Sequence, residues 1–382
     1  MRKKILAMLL IATLVLTFAA CGGNANEEAP APAPAPAAED DDAATPAAPA
    51  NDDLNIQVVA KGFQHQFWQV VKQGAEKAAA DLGVKMDFNG PPTESDIAAQ
   101  IGMIDNALAQ NASAIALAAL DTKSVEGQLA DAQSKGIPII GFDSGVPDAP
   151  AGSVAATAST NNENAAAIAS EHMMADPAFK AAIEGATADK PVVIGILSQD
   201  ATSTSIIGRT KGYLEAIKLA VEAIHPGAVK VTGHDMYKVD SAEPAAVEIA
   251  VQVPPTPDAA DMKNGAQALL STKGLIGVFL SNEGAVTGFL NATNDGADLG
   301  DGKAYADLVV AGFDAGKTQK DVVRKGLFLG SVTQDPYQIG YLAVDLAVKA
   351  AKGENVTDAD TGAKWYDSTN MDDADIKDLI YD

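Results

Sequence analysis

The chain has 382 residues, 47% of them hydrophobic and 20% charged, a composition ordinary for a globular protein and long enough for two domains. Its formal net charge of −24 at pH 7 leaves nothing from which to build a basic stripe along a phosphate backbone, so nucleic acid is excluded as a partner. The single cysteine, Cys21, rules out internal disulfides and leaves no thiol for catalysis in the body of the chain.

In chain order, the first element is a leader. Arg2, Lys3 and Lys4 precede an unbroken apolar run over 5–20, and small residues Ala19 and Ala20 stand just before Cys21. A charged head, an apolar middle and a small-residue cut site predict a removed signal peptide over 1–20. Cysteine directly after the cut resembles a lipobox, in which the sulfur is lipidated; Phe18 stands where that motif usually has Leu. The expected address is the extracellular face of a cell membrane, on a lipid anchor. Residues 21–53 follow as a disordered tether: a Pro-Ala repeat over 30–36 and an acidic cluster over 39–42 offer no apolar core to bury. Such a linker reaches between roughly 30 Å coiled and about 100 Å extended.

From Leu54 onward, short apolar runs alternate with helical patterns. Strands are expected at 56–60, 84–88, 114–117 and 137–142. The helices between them are marked by Phe67, Val71, Ala75, Ala78 and Leu82, by Ile97, Ile101, Ile104 and Leu108 behind a cap at Ser95, and by a run over 125–132. The alternation restarts after Pro191, with strands at 192–197, 229–237, 275–280, 308–313 and 327–332, and helices at 206–223, 262–270 and 336–352. Repeated strand-helix alternation implies parallel sheets covered on both faces. The fold class is therefore α/β, with two doubly wound parallel-sheet lobes.

Ligands of open parallel sheets bind beyond the carboxyl ends of the strands. The polar and aromatic residues there are His65, Phe67 and Trp68 after the first strand, Asp121 after the third, and Asp143 and Ser144 after the fourth. In the second series they are Gln199 and Asp200 with Arg209 beyond, Tyr237, Asn282 and Glu283, Asp314, and Gln334. Planar groups with two polar atoms bridge neighbouring hydroxyls, and aromatic rings cover the C–H faces of a sugar, so the set suits a polyol. Asp121, followed by Thr122 and Ser124, reads as a helix cap rather than a contact. The enzyme templates fail: there is no phosphate-cradling glycine loop, no nucleophile elbow, and His65, His172, His225 and His234 are too scattered for a zinc site. No cofactor and no metal is expected; Asp295, Asp298 and Asp301 lack the spacing of a calcium loop.

At these residues the chain resembles the sugar-type (type I) periplasmic binding proteins of ABC importers, the family of the ribose-binding protein. The resemblance is carried by QHQFWQVVKQGAEKAA (64–79), GIPIIGFDSG (136–145), GRTKGYLEAI (208–217), GVFLSNEGAVTGF (277–289), VVAGFDAGK (309–317) and GSVTQDPYQIGYLAVDLA (330–347). It implies two lobes joined by a three-strand hinge, 54–160 with 335–362 and 161–334 with 363–382. It also implies ligand contacts at His65, Phe67, Trp68, Asp143, Ser144, Arg209, Tyr237, Asn282, Asp314 and Gln334, and a monomer that delivers a monosaccharide to permease subunits by hinge closure, with no catalysis. His65 replaces a usual Asn, Trp68 a usual Phe, and Ser144 stands where ribose binders carry Arg, which points away from ribose itself. The alternatives are a receptor feeding a chemoreceptor or sensor kinase, and a non-sugar ligand such as a nucleoside. A proline-rich stretch over 253–258 has no counterpart in the resemblance.

Overall fold

The computed structural model describes residues 51–381; the expected leader, Cys21 and the expected tether as far as residue 50 lie outside the described residues. The chain begins with β1 (Asn55–Val59), α1 (Gln66–Leu82), β2 (Lys85–Asn89), α2 (Ile97–Ala109) and β3 (Ala114–Leu117). It continues through α3 (Glu126–Ser134), β4 (Ile139–Phe142) and β5 (Ala156–Ser159). The second series is α4 (Asn162–Ala175), α5 (Pro177–Glu184), β6 (Val192–Leu197), α6 (Thr204–Glu222), β7 (Val229–Gly233) and β8 (Val247–Gln252). It goes on with α7 (Ala259–Leu270), β9 (Leu275–Leu280), α8 (Glu283–Ala292), β10 (Val309–Phe313), α9 (Lys317–Arg324) and β11 (Gly330–Gln334). The chain ends with α10 (Pro336–Ala351), β12 (Ala359–Asp360) and β13 (Ala363–Tyr366).

The described strands form two sheets, ordered β12-β5-β4-β3-β1-β2 and β13-β11-β10-β9-β6-β8-β7. All pairs are parallel except β11 with β13. The central strands β3 and β4 are buried throughout, as both-face coverage requires, whereas the edge strand β2 alternates between exposed and half-buried. The chain passes between the sheets three times, after β5, after β11 and after β12. Thr160 gathers the three passages: its Oγ1 donates to Gln334 Oε1 at 2.8 Å and lies 3.3 Å from Gly362 O.

Helix starts follow local chemistry. Asp96, Asn161, Asp176, Asn282 and Asp335 each accept a first-turn N–H, and Pro177 and Pro336 occupy first-turn positions where no N–H is needed. Each such cap is worth about 1 kcal/mol. The cap of α2 is thus Asp96, not Ser95, whose hydroxyl instead donates to Asp258. On the first sheet, α1 packs backbone to backbone on α10. A Cβ on Gly74 would sit 1.9 Å from Tyr337 O, and one on Gly340 would sit 1.9 Å from Val71 O. Alanine at either position would force the helices apart at a cost of roughly 1–3 kcal/mol.

The structure departs from the sequence expectation in several places. Residues 51–53, expected as the end of a disordered tether, instead form a short 3₁₀ turn, and Asn51 Nδ2 donates to Leu82 O at 2.8 Å. β5, with sequence ATAS, has no large apolar residue to mark it. β8 alternates Val and Ile with Glu and Gln beside the edge strand β7, and was hidden by the proline-rich stretch after it. The strand expected over 229–237 stops at Gly233.

Candidate functional site

Between the two sheets lies a cavity of about 20 Å³, lined by Lys61, His65, Phe67, Trp68, Glu94, Asp143, Ile206, Arg209, Asn282, Glu283, Asp314 and Gln334. Nearly all lie at or just beyond the carboxyl ends of strands, the position that parallel sheets reserve for ligands. In this closed arrangement of the lobes that volume admits about one water, far below the roughly 300–1,000 Å³ of drug-sized pockets.

Two corners of matching sequence shape the cavity. Gly141-Phe142-Asp143-Ser144-Gly145 follows into β4's exit, and Gly312-Phe313-Asp314-Ala315-Gly316 into that of β10. Asp143 and Asp314 both have positive φ, 51° and 70°, a left-handed conformation that Asp tolerates better than most residues. The turn aims each carboxylate inward from its own sheet. Strain of this kind, roughly 1 kcal/mol at each, clusters where geometry serves binding.

Arg209, on α6 and only 3% exposed, stands between them. Its Nη1 lies 3.2 Å from Asp314 Oδ2 and 3.3 Å from Ser281 O, and its Nε donates to Asn162 Oδ1 at 2.8 Å. Its Nη2 is 3.9 Å from Asp143 Oδ1, and the guanidinium lies 4.0 Å from the centroid of Phe313. Asp314 is held from the other side by Gln334 Nε2 at 2.8 Å and by the Glu283 N–H at 3.2 Å. Asp143 is less engaged: Oδ2 is buried without a hydrogen-bond partner, although Lys61 Nζ is 3.6 Å away. Burial pushes the Asp143 carboxyl up, with Lys61 and Arg209 opposing and Asp314 adding to the push.

Lys61 lies two residues past the end of β1 and is buried. Burial works to lower its pKa, but Asp143 and Glu94 outweigh it and hold the ammonium above its ordinary value. Glu94 is the reverse case. Burial would raise it, yet Lys61, His65 and hydrogen bonds from Trp68 and Gln199 hold it below the usual carboxylate range. Both groups are therefore charged at neutral pH.

The floor is aromatic. Phe67 and Trp68 meet edge to face at 5.0 Å, and Trp68 meets Phe142 the same way at 6.2 Å. Trp68 Nε1 donates to Glu94 Oε1 at 2.7 Å, Gln199 Nε2 donates to Glu94 Oε2 at 2.8 Å, and Asn282 Nδ2 donates to Gln199 Oε1 at 2.6 Å. That chain of bonds runs from one lobe to the other. So does a pair of exchanged helix caps. The Glu283 carboxylate accepts the N–H groups of Gln66 and Phe67 at the start of α1, which His65 leaves without a side-chain cap. In return, Gln66 Oε1 accepts the Lys317 N–H at the start of α9, at 2.7 Å. Carboxylates are favoured at helix N-termini, but burial still pushes Glu283 upward, with His65 and the two N–H groups opposing.

Of the residues expected from sequence, the structure brings His65, Phe67, Trp68, Asp143, Arg209, Asn282, Asp314 and Gln334 around one cavity. Ser144 and Tyr237 are placed elsewhere. Ser144 is buried behind Asp143, its Oγ facing the Ser205 N–H at 3.3 Å. Tyr237 turns away after β7 ends and packs in the second lobe's core, and burial pushes its hydroxyl up to about 12. Asp121 accepts from the N–H groups of Lys123 and Ser124 and serves the turn before α3. Lys61 and Glu94 were missed: Lys61 because buried lysines are rare, Glu94 because it lies beyond Pro91 and Pro92 rather than at the strand's end. Among the described residues no cluster of His, Cys, Asp and Glu could hold a metal ion.

Comparison with known proteins agrees with this architecture. The chain is 24% identical to the D-allose-binding periplasmic protein of Escherichia coli, over 81% of this chain and 88% of that one. A solved structure described as an ABC transporter, LacI family transcriptional regulator from Brachyspira murdochii is 42% identical, with a TM-score of 0.72, covering 87% of this chain and 100% of the other. An ABC transporter solute-binding protein from Agrobacterium vitis, solved with bound D-fucose, is 26% identical with a TM-score of 0.69, covering 86% and 100%. The family model described as periplasmic binding protein domain matches residues 56–355. Two parallel-sheet lobes, a polar cavity between their strand ends and that match together establish that this chain belongs to the periplasmic binding protein family.

Proposed function

We propose that the protein is the solute-binding component of an ABC importer and holds one neutral monosaccharide in the cavity between its lobes. The observation that carries this reading is Arg209, buried between Asp143 of one lobe and Asp314 of the other. Charged, planar groups fixed in a buried cavity above an aromatic floor suit hydroxyl groups that need both donors and acceptors. The relatives named for D-allose and seen with D-fucose support the sugar class.

Binding would close the lobes. Ligand bonds to Asp143 from one side and to Arg209 and Asn282 from the other supply the differential affinity that a population shift requires. The three passages that meet at Thr160 are where the hinge would bend. The closed form is what permease subunits would recognise, with Cys21 as the lipid anchor and the tether leaving the body free to turn.

Isothermal titration against pentoses, hexoses and inositols tests the ligand class: saturable 1:1 binding of one sugar, with the sugar recovered unchanged, is expected, and silence across the panel overturns it. For the anchor, the native protein should partition into a detergent phase and the Cys21→Ala protein into water; equal partitioning contradicts lipidation.

A further inference from the structure

We propose that the Glu94–Gln199 hydrogen bond is a partition that limits the cavity to a single sugar ring, and that it seals off a neighbouring groove able to take a glycosidic substituent. This rests on the monosaccharide reading above. Glu94 lines both spaces. Its partner Gln199 lines only the outer groove, while Gln199's other partner, Asn282, lines only the inner cavity. The bond therefore stands between the two. Glu94 and Gln199 are 6% and 1% exposed, so neither side chain can swing aside into water. They come from opposite lobes, Glu94 from beyond β2 and Gln199 from the exit of β6, so the partition assembles only when the lobes meet.

The groove beyond it has a volume of about 470 Å³, against about 20 Å³ inside. Pro254 and Pro255 on one side, with Ile97 and Leu120 on the other, give it apolar faces of the kind a second ring or an aryl group would use. This assigns a place to the proline-rich stretch: it forms the groove's outer wall, tied to the other lobe where Ser95 Oγ donates to Asp258 at 3.0 Å. A free sugar can present a hydroxyl to the partition. A glycoside presents an ether oxygen with no proton to donate and a substituent where the Gln199 amide stands. Admitting it would leave the Glu94 carboxylate without its amide donor in a buried place.

The test is isothermal titration of the native protein and of Gln199→Ala with D-allose, D-ribose and D-fucose and with the methyl and phenyl α- and β-glycosides of each. The native protein is expected to bind a free sugar about 100-fold more tightly than its glycosides. Gln199→Ala should narrow that gap to tenfold or less for at least one anomer. Gln199→Asn, which withdraws the amide by one methylene but keeps its polarity, gives the same reading if the alanine protein does not fold. An unchanged gap in a folded variant overturns the partition, as does a native protein that binds glycosides as tightly as free sugars. Silence of the native protein toward every free sugar instead overturns the monosaccharide reading, and the partition with it.

Discussion

The two aspartate corners are alike in sequence and backbone but differ in how they are employed. Asp314 is saturated within its own lobe by Arg209, Gln334 and the Glu283 N–H. Asp143, on the other lobe, keeps a buried Oδ2 with no hydrogen-bond partner and only looser ion pairs to Lys61 and Arg209. One corner is a fixed strut that orients the guanidinium; the other holds an acceptor in reserve. A receptor needs both, because a ligand that finds every acceptor occupied gains nothing by drawing the lobes together, and one that finds none fixed must order them itself.

The largest effect expected from this contrast belongs to the residue the two corners share. Arg209→Met removes the donor to Asp314 and the cation 3.9 Å from Asp143, and leaves two acids buried without their common cation. Hydrogen bonds to charged groups contribute about 1.5–3 kcal/mol each, so losing two or more should weaken sugar binding by about 10²–10³-fold or beyond in titration calorimetry. A loss under tenfold would remove Arg209 from the centre of the site.

The next effect separates the corners. Asp314→Asn should lower the unfolding free energy of the empty protein by about 1.5–3 kcal/mol in denaturant titration, because it loosens a hydrogen-bonded network. Asp143→Asn should leave the empty protein nearly as stable while costing about 10–100-fold in sugar affinity, because it removes the reserved acceptor. Equal stability losses in the two variants would erase the distinction.

The smallest effect is the dependence on pH. Glu94, depressed in the folded protein, contributes stability that is complete above the unfolded carboxylate value near about 4.3 and is lost as pH falls through the lower folded value. Lys61, raised, contributes stability that is complete below about 10.4 and is lost as pH rises through the higher folded value. Asp143, raised by burial, works the opposite way at the acid end. The loss of thermal stability on acidification should therefore begin at higher pH in Lys61→Met, which takes away a cation that holds Glu94 down; an unchanged profile in that variant would mean that the buried cluster is not coupled to folding.

Much of the molecule was legible in the sequence because parallel-sheet strands announce themselves. 114–117, 192–197 and 275–280 were expected at the boundaries observed, since each is a short apolar run with a polar, proline or glycine residue just before it: Ser113, Pro191 and Gly274. The strand-end rule then led to Asp143, Asn282 and Asp314. Tyr237 misled because the same rule was applied to a strand that ends four residues earlier, at Gly233. Glu283 was visible beside Asn282, but its role depends on the uncapped start of α1 in the other lobe, a relation that no local pattern encodes. The repeated Gly-Phe-Asp corners offered a signal that chain-order reading passes over, since the two lie far apart and meet only through Arg209.

The central claim, that a sugar is held between the reserved acceptor and the fixed strut, is tested most directly by a crystal structure of the protein with the sugar selected by calorimetry. The account predicts a sugar hydroxyl donating to Asp143 Oδ2 at about 2.7 Å, with another sugar oxygen on Arg209 and a C–H face on Phe67 or Trp68. Density for the sugar outside this cavity, or inside it without contact to Asp143, would contradict it.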